Sequence, residues 1–99
     1  MDKGTALENS KKYATRVKEQ FPDSKIMLYG SYSNGEPTEN SDIDIAVIIN
    51  DFTGNWLKTS AQLWRCTESI DTRIEPVLLD AMDNQSGFCE YILQTGIEL

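Results

Sequence analysis

Two aspartates stand where acidic residues are unusual. Asp42 and Asp44 begin the run DIDIAVII, whose β-branched residues predict a strand over 42–49. Aspartate is a poor strand former, so its double presence calls for a reason. Alternation puts both carboxylates on one face, with Cα atoms about 6.5 Å apart. Carboxylates this close raise each other's pKa, and a hard divalent cation such as Mg²⁺ relieves that repulsion. The alternative is a pair of acids that simply extend from an exposed strand end.

A second feature is the dipeptide Gly30-Ser31, which follows the apolar run KIMLY. Ten residues separate Ser31 from Asp42. Glycine permits close approach of the backbone, and a helical turn that begins near Ser31 would point N–H groups outward. Such a turn suits phosphate groups. The alternative is an ordinary turn, because Gly-Ser alone carries little information.

The elements that must position these residues follow from periodicity and turn signals. Apolar residues at helical spacing predict a first helix that Pro22 ends. Strands are predicted over 25–29, 42–49 and 72–79, with a second helix between the last two and a third helix near the C-terminus. The residues expected on the helical faces are Leu7, Ala14, Val17 and Phe21, then Trp56, Ser60, Leu63, Trp64 and Thr67, then Phe88, Ile92 and Leu93. Asp83 or Ser86 could cap the last helix, and Gly96 is expected as its C′ residue. The order predicts an α/β (α+β) fold with helices packed on a small mixed three-stranded sheet.

Strand directions bring the polar residues together. If the first two strands are antiparallel neighbours, Gly30-Ser31 and Asp42 fall at the same edge of the sheet. A helical crossover makes the second and third strands parallel, so Glu75 should reach the same end as Asp44. The alternative for Glu75 is an exposed carboxylate paired with Arg73. Pro76 lacks an N–H donor, which favours an edge position for the third strand.

Composition limits the classes of function. The chain has 99 residues, enough for a single domain over 1–99. Sixteen acidic and nine basic residues give a net charge of −7, which makes direct nucleic-acid binding an unfavourable hypothesis and suits a metal site or a basic protein partner. No apolar run is long enough to span a bilayer, and we expect a cytoplasmic protein without membrane association. Cys66 and Cys89 have no metal-site spacing, and Cys66 is expected to be a buried free thiol.

Taken together, Gly30-Ser31 and, after nine further residues, Ser41-Asp42-Ile43-Asp44-Ile45 resemble the signature of the DNA polymerase β-type nucleotidyltransferase superfamily. The short length resembles the minimal nucleotidyltransferases, the MNT proteins. The resemblance extends over nearly the whole chain, from the leading helix to the strand of the third acid.

This resemblance implies a mechanism. Asp42, Asp44 and Glu75 would hold two Mg²⁺ ions, and Glu75 would help to deprotonate the acceptor hydroxyl. Gly30, Ser31 and Ser41 would contact the nucleoside triphosphate. Glu75 replaces the Asp that is often found at the third position. Lys25 and Arg73 are the candidate basic residues for the triphosphate.

The resemblance also implies a partner. Minimal members are often encoded beside an HEPN-type protein, a helical ribonuclease toxin. The expected activity is transfer of AMP from ATP to a hydroxyl of that partner, on a tyrosine, so that the chain acts as an antitoxin. Two alternatives are an antitoxin that acts by docking alone and the catalytic subunit of a small-molecule, antibiotic-type nucleotidyltransferase.

Overall fold

A four-stranded mixed sheet with helices on both faces forms the body of the molecule. The computed structural model describes residues 3–34, 41–83 and 87–99. In chain order its elements are α1 (Lys3–Gln20), β1 (Lys25–Tyr29), α2 (Ser31–Asn34), β2 (Ile43–Ile49), α3 (Trp56–Arg65), β3 (Ile74–Asp80), α4 (Phe88–Thr95) and β4 (Ile97–Glu98). This arrangement confirms the predicted fold class. None of the described helices is long and apolar enough to cross a membrane.

The strand order is β3-β2-β1-β4. β1 and β2 are antiparallel neighbours, which is the condition under which Gly30-Ser31 and Asp42 fall together. β2 and β3 are parallel, as the helical crossover predicts. β3 lies at an edge, which accommodates Pro76. The sheet has one strand more than the three predicted. This additional strand, β4, pairs only two residues with Met27 and Leu28 of β1. A strand of two residues has no periodicity to detect.

Helices α1 and α3 cover one face of the sheet. Alternate strand residues such as Ile26, Leu28, Ile43 and Ile45 pack there with Val17 of α1 and Leu63 of α3. The hydroxyl of Tyr13 donates to the carbonyl of Leu63 at 2.8 Å, so the buried phenol finds a partner and joins the two helices. Cys66 lies in this core as a free thiol, which confirms its prediction.

Helix α4 covers part of the opposite face. Its Cys89 and Ile92 pack against Met27, Ala46 and Ile48. Gly87, with φ 76°, occupies the N-cap position where Asp83 was expected; Ser86 lies outside the described residues. Leu93, expected on the buried face, is 40% exposed. Gly96 ends the helix with an extended backbone, where an added Cβ would lie 2.8 Å from the carbonyl oxygens of Ile92 and Leu28.

Helix α3 differs from its predicted orientation. The side chain of Asn55 caps its first turn by accepting from the N–H of Lys58 at 3.0 Å. Leu63 is buried as expected, but Trp56 and Trp64 are 41% and 47% exposed. Thr67, expected on the same face, is buried, and so is Cys66, which directly follows α3. The apolar pattern therefore predicted the helix correctly but grouped its two largest side chains with the buried residues.

Asp80 organises the edge of the sheet remote from the start of β2. Its carboxylate accepts from the backbone N–H groups of Asp51, Phe52 and Met82 at 2.8 to 2.9 Å. Asp51 has φ 55°, a left-handed conformation that these bonds help to hold. The same donors lower the pKa of Asp80, because they stabilise its charged form.

Candidate functional site

The turn after β1 brings a glycine and a serine to the side of the sheet where β1 ends and β2 and β3 begin. This side, formed by strand ends, is called the site edge below. β1 ends at Tyr29, Gly30 takes φ +75°, and α2 begins at Ser31, as predicted. Tyr32 is buried in the core, and the N–H of Ser33 donates to the carbonyl of Gly30 at 3.1 Å. The helical turn is therefore anchored from beneath by an aromatic ring.

Gly30 lies directly against the carboxylate of Asp44. A Cβ at position 30 would fall 2.4 Å from Asp44 Oδ2 and 3.3 Å from its Cγ. Real Cβ atoms do not approach this closely. Two independent constraints thus favour glycine here, namely the positive φ and the carboxylate in contact with its α-carbon. The phosphate-turn candidate and the metal-ligand candidate are one packed unit.

Three carboxylates gather at this edge. The parallel register places Glu75 opposite Asp44, which confirms that Glu75 reaches the same end of the sheet. Asp42 precedes β2, and a side-chain hydrogen bond joins Asp42 and Glu75. Asp42 and Glu75 are exposed, whereas Asp44 is half-buried.

The charges of this cluster act on one another. Burial and then the Asp42 carboxylate raise the pKa of Asp44. Desolvation, the charges of Asp42 and Asp44, and the hydrogen bond to Asp42 raise the pKa of Glu75. The ionised forms of Asp44 and Glu75 are therefore less favourable in the folded chain than in water. That is the arrangement in which a cation or a transferred proton is favoured.

Arg73 does not pair with Glu75 within the described residues. Their ion pairs are Lys12–Glu8 and Lys25–Glu98. Arg73 Nη1 is instead a buried donor without a hydrogen-bond partner. Lys25 lies opposite Ile48, at the other end of β1 from Gly30, so it is not at this edge. Asp71, the remaining acid before β3, accepts from Asn9 Nδ2 and from the N–H of Arg73.

The donor set of the cluster suits a hard cation. All of its side-chain donors are carboxylate oxygens, the ligands that Mg²⁺ prefers. Within the described residues, however, no three acidic or thiol side chains converge as a ready-made metal group.

Ser41 lies beside this cluster. It is half-buried and directly precedes Asp42. The segment 35–40 between the Gly-Ser turn and Ser41 lies outside the described residues. A cleft of about 570 Å³ lined by Ser24, Ile49 and Phe52 opens at the opposite ends of β1 and β2, away from the carboxylates. The candidate site is therefore an open sheet edge and not that cleft.

Tyr29 is a neighbour of the site that the sequence interpretation missed. It lies opposite Asp44 in the antiparallel register, and its ring contacts Phe88 edge-on at 5.7 Å between centroids. Burial, then Asp44 and Glu75, raise the pKa of its phenol. The signal was present in the sequence, since a residue just before Gly30 must lie close to the start of β2.

Comparisons with known proteins agree with this geometry. A family model described as a nucleotidyltransferase domain matches residues 10–92. No curated protein matches the chain significantly in sequence.

Two solved structures are similar in fold. One is a protein from Sulfolobus solfataricus with a provisional nucleotidyltransferase assignment, at TM-score 0.64 and 19% identity over 95% of this chain and 85% of that chain. The other is a toxin–antitoxin MntA–HpeT structure with two Asp-to-Glu substitutions, at TM-score 0.60 and 24% identity over 90% of this chain and 70% of that chain.

The contact between Gly30 and Asp44 predicts the effect of an added methyl group. Gly87 is a matched control, because it has φ +76° and no described atom lies within 4 Å of its added Cβ. Gly87→Ala should cost about 1–2 kcal/mol of unfolding free energy from backbone strain alone. Gly30→Ala should cost more, measured by urea denaturation, and the excess should shrink in an Asp44→Ala background. Equal costs at the two glycines would contradict the close contact.

The raised pKa of Asp44 predicts a stability that depends on pH. The folded state holds this proton more tightly than the unfolded state, so the free energy of unfolding falls as pH rises from the unfolded to the folded pKa. Asp44→Asn removes that cost, and its melting temperature should exceed the wild-type value by roughly 2–5 °C at neutral pH. The gap should narrow as pH falls toward about 4. Calorimetry of wild type, Asp44→Asn and the exposed control Asp23→Asn checks this; a gap independent of pH would refute it.

Proposed function

The chain belongs to the nucleotidyltransferase domain family, and from this premise we propose that its single domain transfers AMP from ATP to a hydroxyl group of a partner protein. One observation carries the proposal: Gly30, Asp44 and Glu75 lie in contact or in register at one sheet edge, with Asp42 hydrogen-bonded to Glu75. The family model covers all four positions. Nucleotidyl transfer needs a phosphate contact, metal-binding acids and a proton acceptor, and these residues supply each type.

Each residue has a role in this proposal. Asp42 and Asp44, with Glu75, would hold Mg²⁺, and the bound cation would neutralise charge on the triphosphate and on the leaving group. Gly30, Ser31 and Ser41 contact the phosphates. A carboxylate cluster would otherwise repel a triphosphate, so nucleotide and cation should bind together. Mg²⁺ commonly relies on substrate phosphates for part of its coordination.

Glu75 is the proposed proton acceptor. In the transfer, the acceptor oxygen bonds to the α-phosphorus, the bond to pyrophosphate breaks, and the hydroxyl proton passes to the Glu75 carboxylate. The raised pKa of Glu75 suits this role, since a base works best when its pKa lies nearer the operating pH. Its exposure leaves room for an acceptor to approach.

A protein acceptor of the HEPN type is supported by the fold comparison and by charge. The neighbour MntA–HpeT is a toxin–antitoxin structure, and its two substituted aspartates have the same spacing as Asp42 and Asp44. Asp42, Asp44 and Glu75 make the approach to the site acidic. A ribonuclease toxin tends to be basic, because it binds RNA, and would be attracted to this edge. We therefore propose an antitoxin that modifies a tyrosine of its toxin.

The experiment combines the chain, Mg²⁺, each nucleoside triphosphate and the protein encoded by the neighbouring gene as the candidate partner. Intact-mass spectrometry should show one added AMP on the partner with ATP, and no addition with EDTA. Tight binding to the partner without any added mass would indicate an antitoxin that acts by docking alone. Labelling of a small molecule instead would identify a small-molecule transferase subunit.

Glu75→Gln separates catalysis from binding. The substitution preserves shape and removes the negative charge. Because Asp42, Asp44 and the Gly30-Ser31 turn still bind the nucleotide and its cation, Mg²⁺–ATP affinity by calorimetry should fall far less than turnover does. Partner modification at saturating ATP should fall by at least about 100-fold, because the proton acceptor is lost. Glu68→Gln, an exposed acid between α3 and β3, is the matched control. Near-normal turnover of Glu75→Gln would remove Glu75 from the catalytic group.

A further inference from the structure

One row of side chains crosses the sheet at the site edge. The registers place Glu75 of β3 opposite Asp44 of β2, and Asp44 opposite Tyr29 of β1. Phe88, the first residue of α4, continues the row by contacting Tyr29. The row therefore changes from carboxylates at one end to aromatic rings at the other.

The aromatic end forms a corner of two rings. The planes of Tyr29 and Phe88 meet at 85°, with their centroids 5.7 Å apart. Tyr29 is half-buried and Phe88 is 39% exposed. In an edge-to-face pair the two ring faces point in different directions, so a third flat group can stack on one ring and touch the edge of the other.

The order of the row gives the two ends of a nucleotide different environments. A triphosphate bound at Gly30 and Asp44 has the proton acceptor Glu75 on its β3 side, and the acceptor hydroxyl must approach from there. The nucleoside must then lie on another side of Asp44. The β1 side offers aromatic surface within one strand spacing, and bases of every kind stack on such surfaces.

We propose that Tyr29 and Phe88 form the nucleobase subsite of this enzyme. The proposal rests on the proposed function, because it takes the triphosphate to bind at Gly30 and Asp44. Base stacking on Phe88 adds affinity that inorganic tripolyphosphate, which has no base, does not receive. The aromatic corner thus binds the nucleoside while the carboxylates and the Gly-Ser turn bind its phosphates.

The test compares ATP with inorganic tripolyphosphate, both with Mg²⁺, by calorimetry. Phe88→Ala should weaken ATP binding roughly 5- to 150-fold, the range that base stacking supplies. Tripolyphosphate affinity should stay within about twofold of the wild-type value. Phe88→Tyr, which restores the ring, should recover most of the ATP affinity, whereas Phe88→Leu should not.

Trp64→Ala is the matched control, since it truncates a half-exposed aromatic residue on the other helical layer. It should leave both affinities unchanged. An equal loss of ATP and tripolyphosphate in Phe88→Ala, with unchanged melting temperature, would overturn the subsite, as would no loss of either. If wild type binds neither ligand, the proposed function fails first. Thermal unfolding of each variant identifies misfolding. If Phe88→Ala is misfolded, the ATP affinities of Phe88→Leu and Phe88→Tyr are compared, and equal affinities would overturn the subsite.

Discussion

The contact between the α-carbon of Gly30 and the carboxylate of Asp44 is the constraint on which the site depends. A methyl group at position 30 would occupy the space of Asp44 Oδ2. Because Gly30 directly follows β1 and Asp44 lies in β2, the contact fixes the turn relative to the strand pair. The local backbone and the acidic chemistry are therefore consequences of one packing arrangement.

Burial of apolar side chains elsewhere in the fold offsets the unfavourable free energy of the ionised carboxylates at this edge. Asp44 and Glu75 have raised pKa values, so their ionised forms destabilise the folded chain. The compensation lies behind the edge, where Ile43, Ile45 and Ile74 are fully buried against α1 and α3. Strand β2 alternates between these functions, with apolar side chains toward the core and Asp44 toward the site. The opposite edge shows the contrast, because Asp80 there satisfies its charge with three backbone donors.

Much of the fold and site could be predicted because short-range patterns determine it. KIMLY and DIDIAVII gave β1 and β2, and the crossover rule placed Glu75 in register with Asp44. The errors arose where tertiary packing decides. Apolar periodicity grouped Trp56 and Trp64 with Leu63, but both tryptophans stay half-exposed while Leu63 is buried. Lys25 looked suitable as a phosphate ligand by charge alone, but strand direction places it at the far end of β1.

The C-terminal segment shapes the site as directly as the motif does. Gly96 passes so close to the carbonyl of Leu28 that a side chain would not fit, and this approach lets β4 pair with Met27 and Leu28. β1 is thereby supported on both sides up to the residue before Tyr29. Helix α4, which precedes this turn, places Phe88 against the ring of Tyr29. Because β4 lies beyond the residues that the family model matches, the support of the aromatic end of the site comes partly from outside that matched region.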